Sequence, residues 1–410
     1  MIKLIFGTAF VQLSSKFLSV IVGIILARTL SVEGFGTYSF IISLISLASL
    51  PVMSGIPQLL IRYVPYYLSK GFFDLHNRIV RWTGNYILLC SLFVVMFIFC
   101  TASVIVKDSY LLKLILLSSI LIPIKAFLIR NSSLLNAYNQ PKSSQFTLLF
   151  TIPFFSLLLI LICQIFSINI DKEMSLFVYI VSTFLSMLIS FYMVSKSKSK
   201  ESKRWVQSLL PFSLISIAGV INSEAATVVL GILSDDSQVG YFRVAFQSVV
   251  VITIGLQAVN TISGPKLSSI RVEENRAEFQ SVVTTCVRWS VLFSVPFIVT
   301  LLFFGEELIV LLFGVEYKNS YPILLILLVG QFFNINIGSV GLILNTTGHE
   351  RKALKSQVIT LFVTMFFLYL LVPEMGGVGA AISVSSGLII WNLLMCVSVY
   401  RYLGIRSWLR

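Results

Sequence analysis

Four ionisable side chains, Lys16, Lys125, Arg130 and Glu224, stand inside stretches that are otherwise apolar. A charge at the centre of a membrane costs at least ~2.5 to 3.5 kcal/mol on insertion scales, so each should face a protein interior or a watery cavity. Lys16 shares a polar stripe with Thr8, Gln12, Ser15, Ser19 and Gly23, all at helical spacing. Lys125 follows Lys113 by 12 residues, which on a helix places it about 18 Å from the outer, Lys113 end of its stretch. Two cations at such depth suit an anion with the charge density of a diphosphate; a structural ion pair or snorkelling is the alternative. Arg130 can join them, although its position near the other end of the stretch also lets it snorkel.

Glu224 invites two readings. As a coupling site it would take up H+ or Na+, since burial raises a carboxyl pKa and a buried cation nearby lowers it. As a structural group it would pair with Lys16. Arg28 and Arg243 flank two related turns and serve either as interfacial anchors or as an outer gate that receives phosphate. Gln331, Asn334, Gly338, Gly341 and Asn345 form a neutral stripe spaced by three and four residues. With Gln12, its amides suit sugar hydrogen bonding, while its glycines suit close helix packing.

The elements that position these groups follow from composition. Of 410 residues, 57% are hydrophobic and 11% charged, and the mean hydropathy is +0.94. Such a chain cannot bury its apolar surface as a water-soluble globule. A crossing needs about 20 apolar residues. Nine charge-free runs qualify or nearly so, and the three stretches carrying the internal charges bring the expectation to twelve spans. Lys and Arg gather on one side: with the amino terminus inside, the cytoplasmic segments hold 22 of 30. Both ends are then cytoplasmic. The net charge of +13 reflects topology and anionic lipid headgroups, with no need for nucleic acid. The first apolar run is longer than the core of a signal peptide and lacks a small-residue cleavage site, so it reads as a span.

The inner loop around KSKSKESKRWVQ divides the chain into six-helix bundles at 1–195 and 208–410, with a basic cytoplasmic linker at 196–207. Each half opens alike. LSVEGFGTY (Leu30 to Tyr38) and LSDDSQVGY (Leu233 to Tyr241) share Leu, Ser, an acidic position and a closing Tyr without a gap, and Gly36 and Gly240 are displaced by one. Internal repeats of this kind are common in secondary transporters, with the substrate site between them. Pro51 and Pro57 break the second span and permit bending. The segment Leu308 to Phe313 is expected to dip into the outer interface.

ILARTLSVEGFGTYSF (Ile25 to Phe40), LGILSDDSQVGYFRVAFQ (Leu230 to Gln247), the segment Phe304 to Leu327, LILNTTGHERKAL (Leu342 to Leu354) and GGVGAAISVSSGLIIWNLL (Gly376 to Leu394) together resemble the polysaccharide repeat-unit (O-antigen) flippases of the multidrug/oligosaccharidyl-lipid/polysaccharide exporter superfamily. The resemblance implies an all-α polytopic fold, with two pseudo-symmetric six-helix bundles around a central cavity. It implies an undecaprenyl-diphosphate-linked oligosaccharide as substrate, a bacterial inner membrane as location, and polysaccharide polymerase machinery as a partner besides membrane lipids. On this reading Lys16, Lys125 and Arg130 hold the diphosphate, and transport proceeds by alternating access without covalent chemistry.

Two rivals remain. A multidrug exporter of the same superfamily would need an acid-lined cavity for its cationic cargo, which Lys16 and Lys125 oppose. A polytopic polysaccharide polymerase or ligase would need a large outer loop, and no outer loop exceeds about 17 residues. No enzyme activity and no cofactor are expected. Cys90, Cys100, Cys163, Cys286 and Cys396 all fall within spans, as small buried side chains rather than metal ligands. His76 and His349 lie too far apart for a metal or catalytic pair.

Overall fold

The computed structural model describes residues 2–197, 209–270, 272 and 275–408. The expected linker at 196–207 lies outside them apart from Lys196 and Ser197. The described residues form α-helices with no strand. In order these are α1 (Ile2–Thr29), α2 (Val32–Ala48), α3 (Leu50–Met53), α4 (Ile56–Ser69), α5 (Phe73–Ile105), α6 (Ser109–Ser118), α7 (Leu121–Ala137) and α8 (Pro141–Gln145). They continue as α9 (Thr151–Ile165), α10 (Lys172–Lys196), α11 (Leu209–Leu233), α12 (Asp236–Ser269), α13 (Arg276–Phe313), α14 (Ser320–Ile337), α15 (Val340–Thr346) and α16 (Glu350–Leu403). Helices are the response of long apolar runs to lipid, where every backbone N–H and C=O must find its partner within the segment. Among the described residues nine helices are long and apolar enough to cross a membrane. A tenth comes from α2 with α3 and α4, bent by 41°. The protein is an all-α, multi-pass membrane protein.

Helix ends follow local chemistry. Asp171 accepts the Met174 N–H at 2.8 Å and Asp108 accepts the Tyr110 N–H at 2.9 Å, so α10 and α6 start where a carboxylate can cap them. The bend before α4 falls at Gly55, with φ +85°, between the two prolines expected to break this span. The long helix α16 is interrupted at Gly376, where φ is +51° and ψ −128°.

The chain divides into two compact units, Met1–Val22 with Ile41–Ser213, and Gly23–Phe40 with Leu214–Arg410. In the first, α7 is the central post. Twelve of its 17 residues are buried, and α4, α5 and α10 pack around it. In the second, α14 packs against α12, α13 and α16, and Phe279, Val283, Ile343, Leu344, Met395 and Val399 belong to one core cluster.

The second unit includes Gly23–Phe40, a segment that the sequence division had placed with residues 1–195. Close packing explains its position. A Cβ on Gly36 would lie 1.8 Å from the Asp236 carbonyl oxygen, and one on Gly240 would lie 2.4 Å from the Val32 carbonyl oxygen. Thr37 donates to the Asp236 carboxylate at 2.6 Å. The two glycines of the related turns therefore let the starts of α2 and α12 meet backbone to backbone, each accommodating the other.

Two local expectations are corrected. The turns are shorter than the repeated strings, because α2 already begins at Val32 and α12 at Asp236. Leu308 to Phe313 completes the 38-residue helix α13, which ends at Gly314 with φ +118°. The amide stripe does not run along one helix, since Gly338, at φ +76°, separates α14 from α15 and sets Asn345 apart from Gln331 and Asn334.

Candidate functional site

In the first unit, Lys16 is half-buried on α1. Its neighbour Ser15 fixes that helix, donating to the Leu149 carbonyl at 2.7 Å. Leu149 belongs to a π-helical turn, Phe146–Phe150, a geometry that displaces carbonyls from their usual i+4 partners. Gln12 lies one turn before Lys16 and is also half-buried. The Lys113 and Glu173 charges take each other up at 2.8 Å.

Lys125 and Arg130 share α7 but not a neighbourhood. Five residues apart, they are separated by about 140° around the helix axis. Lys125 donates to the Ser46 hydroxyl of α2 at 3.1 Å and stands 5.1 Å from the centre of the Tyr179 ring on α10. These contacts are neutral: a hydroxyl dipole and an aromatic face steady the ammonium without cancelling its charge. Arg130 is buried, and its guanidinium is committed in three directions. Nε donates to Thr83 Oγ1 at 3.1 Å, Nη2 to the Val80 carbonyl at 2.6 Å and Nη1 to Asn131 Oδ1 at 3.1 Å. Arg130 thus ties α7 to α5, and the two cations of α7 do not form one clamp.

In the second unit, Glu224 of α11 and Arg243 of α12 approach to 3.8 Å, with side chains 23% and 27% exposed. This is a long ion pair rather than a hydrogen-bonded one. Arg28 reaches the end of α13, where Nε donates to the Leu312 carbonyl at 2.7 Å and Nη2 to the Leu311 carbonyl. A guanidinium on the last carbonyls of a helix satisfies them and complements the helix dipole. Tyr317 secures the same corner by donating to the Ala27 carbonyl at 3.0 Å. Burial raises its phenol above the ordinary value.

The amides form a chain. Asn334 donates to Gln331 at 3.0 Å and Asn392 donates to Asn334 at 3.2 Å, tying α14 to α16. Asn345, on α15, buries Oδ1 without a hydrogen-bond partner among the described residues.

Of the residues singled out from sequence, the structure therefore brings together Glu224 with Arg243 and Gln331 with Asn334. It separates Lys125 from Arg130 and Asn345 from the other amides. Ser46, Tyr179 and Asn392 were missed, although Asn392 carried a signal, as an amide in the middle of GLIIWNLLM. Among the described residues no group of three His, Cys, Asp or Glu can hold a metal ion.

Comparison with known proteins converges on one family. Residues 25–322 match the family described as polysaccharide biosynthesis protein. The chain is 25% identical over 237 residues to the capsular polysaccharide biosynthesis protein CapF of Staphylococcus aureus, covering 55% of this chain and 60% of that protein. It is 23% identical over 221 residues to the probable low-salt glycan biosynthesis flippase Agl15 of Haloferax volcanii, covering 53% of this chain and 47% of that protein. These matches thus span about half the length of the curated relatives. Among solved structures, the lipid II flippase MurJ in its inward closed conformation superposes with a TM-score of 0.76 at 16% identity, over 97% of this chain and 87% of that one. The chain belongs to the polysaccharide biosynthesis protein family and has the fold of the lipid II flippase MurJ.

Proposed function

We propose that this protein is a flippase that carries an undecaprenyl-diphosphate-linked oligosaccharide from the cytoplasmic to the periplasmic leaflet of a bacterial inner membrane by alternating access. Family membership supports the polysaccharide part of the reading, and the names of Agl15 and MurJ support the flippase part. The observation that carries the choice of an anionic cargo is Lys125, a charge within an apolar segment held, among the described residues, by a hydroxyl and a ring and not by a carboxylate. An ammonium in that setting keeps its attraction for an anion that enters. Lys16, on its polar stripe, is the second cation assigned to the diphosphate. Both would replace water around the phosphates while the lipid tail stays in the bilayer.

No covalent step is involved, and the protein is proposed not to be an enzyme. The crossings are taken as twelve. The break at Gly376 divides α16 in two, and Ile217–Leu233 of α11 is a shorter apolar helix beside the ten segments already counted. Both termini are cytoplasmic on the distribution of Lys and Arg. Gln12, Gln331, Asn334 and Asn345 are proposed glycan contacts. The Glu224–Arg243 pair is the proposed place for H+ or Na+ coupling. Arg28 and Arg243 remain the proposed outer gate, Arg28 doing so while it holds the end of α13.

The test follows a fluorescent polyprenyl-diphosphate oligosaccharide between the leaflets of liposomes containing the purified protein. Wild type should move it. Lys125→Ala should slow transport by about tenfold or more, and Lys125→Arg should retain part of it. Transport of a lipophilic cation instead, unaffected by Lys125→Ala, would replace this function with drug export.

A further inference from the structure

The first-unit helix α5 is longer than a membrane requires. Its 33 residues span about 50 Å, against about 30 Å of hydrocarbon. The charge-free part begins after Arg81, so the excess is the amino-terminal end. There Asp74, Asn77, Arg78, Arg81, Trp82 and Asn85 recur at three- and four-residue spacing and line an open cleft of about 350 Å³. All six are exposed, and none belongs to the cation, amide or ion-pair groups described above.

The second unit supplies a control within the same molecule. Val80-Arg81-Trp82-Thr83 of α5 reappears as Val287-Arg288-Trp289-Ser290 of α13. Both tryptophans are about half exposed, at 52% and 49%. Each stacks on the aromatic residue four positions later: Trp82 on Tyr86 at 5.4 Å, and Trp289 on Phe293 at 5.7 Å. Thr83 and Ser290 are fully buried. Helix α13 is overlong in the same sense, with 38 residues. Tryptophan and arginine are residues that anchor a helix at a membrane boundary.

What differs is the rest of the face. In the same register, Asp74, Asn77, Arg78 and Asn85 correspond to Ser281, Thr284, Thr285 and Leu292. On α13 the corresponding Ser281, Thr285 and Trp289 line a cleft with Lys266 of α12, so the second arginine, the carboxylate and the two amides are what α5 alone adds to the shared Arg-Trp pair.

Together those groups suit a phosphorylated sugar. Two guanidiniums three residues apart on one face can each offer a paired N–H fork to phosphate oxygens. The indole of Trp82 offers a flat apolar surface to the C–H face of a pyranose, and carboxylate and amides at both ends can bond its hydroxyls. The position at the boundary keeps a lipid tail in the bilayer while the headgroup is held.

We propose that this face of α5 is a capture site for the diphosphate-sugar headgroup of the lipid-linked glycan in the cytoplasmic leaflet, occupied before the substrate moves inward; the proposal rests on the flippase reading. Arg130 is its positioning residue. By holding the Val80 carbonyl and the Thr83 hydroxyl, it fixes the turn that presents Arg81 and Trp82.

The test measures binding to the full-length protein in nanodiscs of neutral lipid. The probes are a polyprenyl diphosphate bearing one N-acetylhexosamine, the same polyprenyl diphosphate without sugar, and phosphatidylglycerol. The variants replace first-unit residues by their second-unit counterparts, Arg78→Thr and Asn85→Leu, together with Trp82→Ala and Trp82→Phe. These residues are exposed, and retention of the folded state is checked by thermal unfolding in the nanodisc. Arg78→Thr should weaken both diphosphates by roughly 10- to 100-fold. Trp82→Ala and Asn85→Leu should weaken only the sugar-bearing probe, by about 3- to 10-fold, and Trp82→Phe should recover most of the loss. Unchanged binding overturns the proposal, as does an equal loss for phosphatidylglycerol, which would make the face an anionic-lipid anchor. In the liposome assay, the variants should slow transport at low substrate and approach wild type at saturation. Sugar-dependent binding by a wild type that does not flip the glycan would remove the flippase reading and leave the site; flipping by a wild type whose binding the variants do not alter would do the reverse.

Discussion

Helices α5 and α13 share the string Val-Arg-Trp, followed by Thr83 in one and Ser290 in the other, and differ in what lies behind it. In α5 the buried hydroxyl of Thr83 and the carbonyl of Val80 receive the guanidinium of Arg130. In α13 the buried hydroxyl of Ser290 has no hydrogen-bond partner among the described residues. The exposed face in front diverges as well, with amides and a second arginine in α5 where α13 has hydroxyls and a leucine. The contrast separates what the two helices share from what one copy has added.

The largest expected effect comes from removing the added support. Arg130→Leu withdraws three hydrogen bonds at a buried site and should destabilise the first unit on the order of 2 to 3 kcal/mol, measured as resistance to unfolding in detergent. A change under about 0.5 kcal/mol would mean that α5 is held by apolar packing alone and that the two helices are equivalent. A smaller effect should distinguish the hydroxyls. Thr83→Val should cost about 1 kcal/mol, whereas Ser290→Ala should lie within about 0.5 kcal/mol of wild type. Equal losses at the two positions would erase the contrast. The smallest effect belongs to the opposite end of α13, where Lys318 meets Glu306 at 2.9 Å in an exposed pair. The carboxylate raises the Lys318 ammonium above its ordinary value of 10.5. Any stability from the pair is therefore fully present below that value and is lost only as pH rises through the higher, folded-state pKa. Stability of Lys318→Ala relative to wild type should not vary between pH 6 and 9, a range well below the lysine titration. A difference that grows across that range would place another titrating group at the corner.

The related turns show how far sequence reading reached. LSVEGFGTY and LSDDSQVGY looked like a weak repeat because glycine identity alone says nothing about what approaches it. Only the positions of the Asp236 and Val32 carbonyls explain why Gly36 and Gly240 must lack a Cβ. The Val-Arg-Trp pair escaped notice for a different reason. It lies at the ends of two long helices whose apolar runs dominate any reading of the segment. The bend at Gly55 was legible in Pro51 and Pro57, since proline removes a backbone donor, while the break at Gly338 was not, because a glycine within an apolar stripe reads equally well as helix packing.

By itself the sequence determined the all-α, multi-pass class, because apolar runs of membrane length leave the backbone one way to satisfy its hydrogen bonds, and particular segments such as Ile25 to Phe40 carried the resemblance to a family. It also located the unusual charges, since an ionisable residue in such a run is visible in one dimension. Tertiary structure alone decided their partners. Five residues of helix turn Lys125 toward a hydroxyl and a ring and Arg130 toward the carbonyl and hydroxyl of α5. Which neighbours wait in those directions depends on how helices distant in the chain pack around α7.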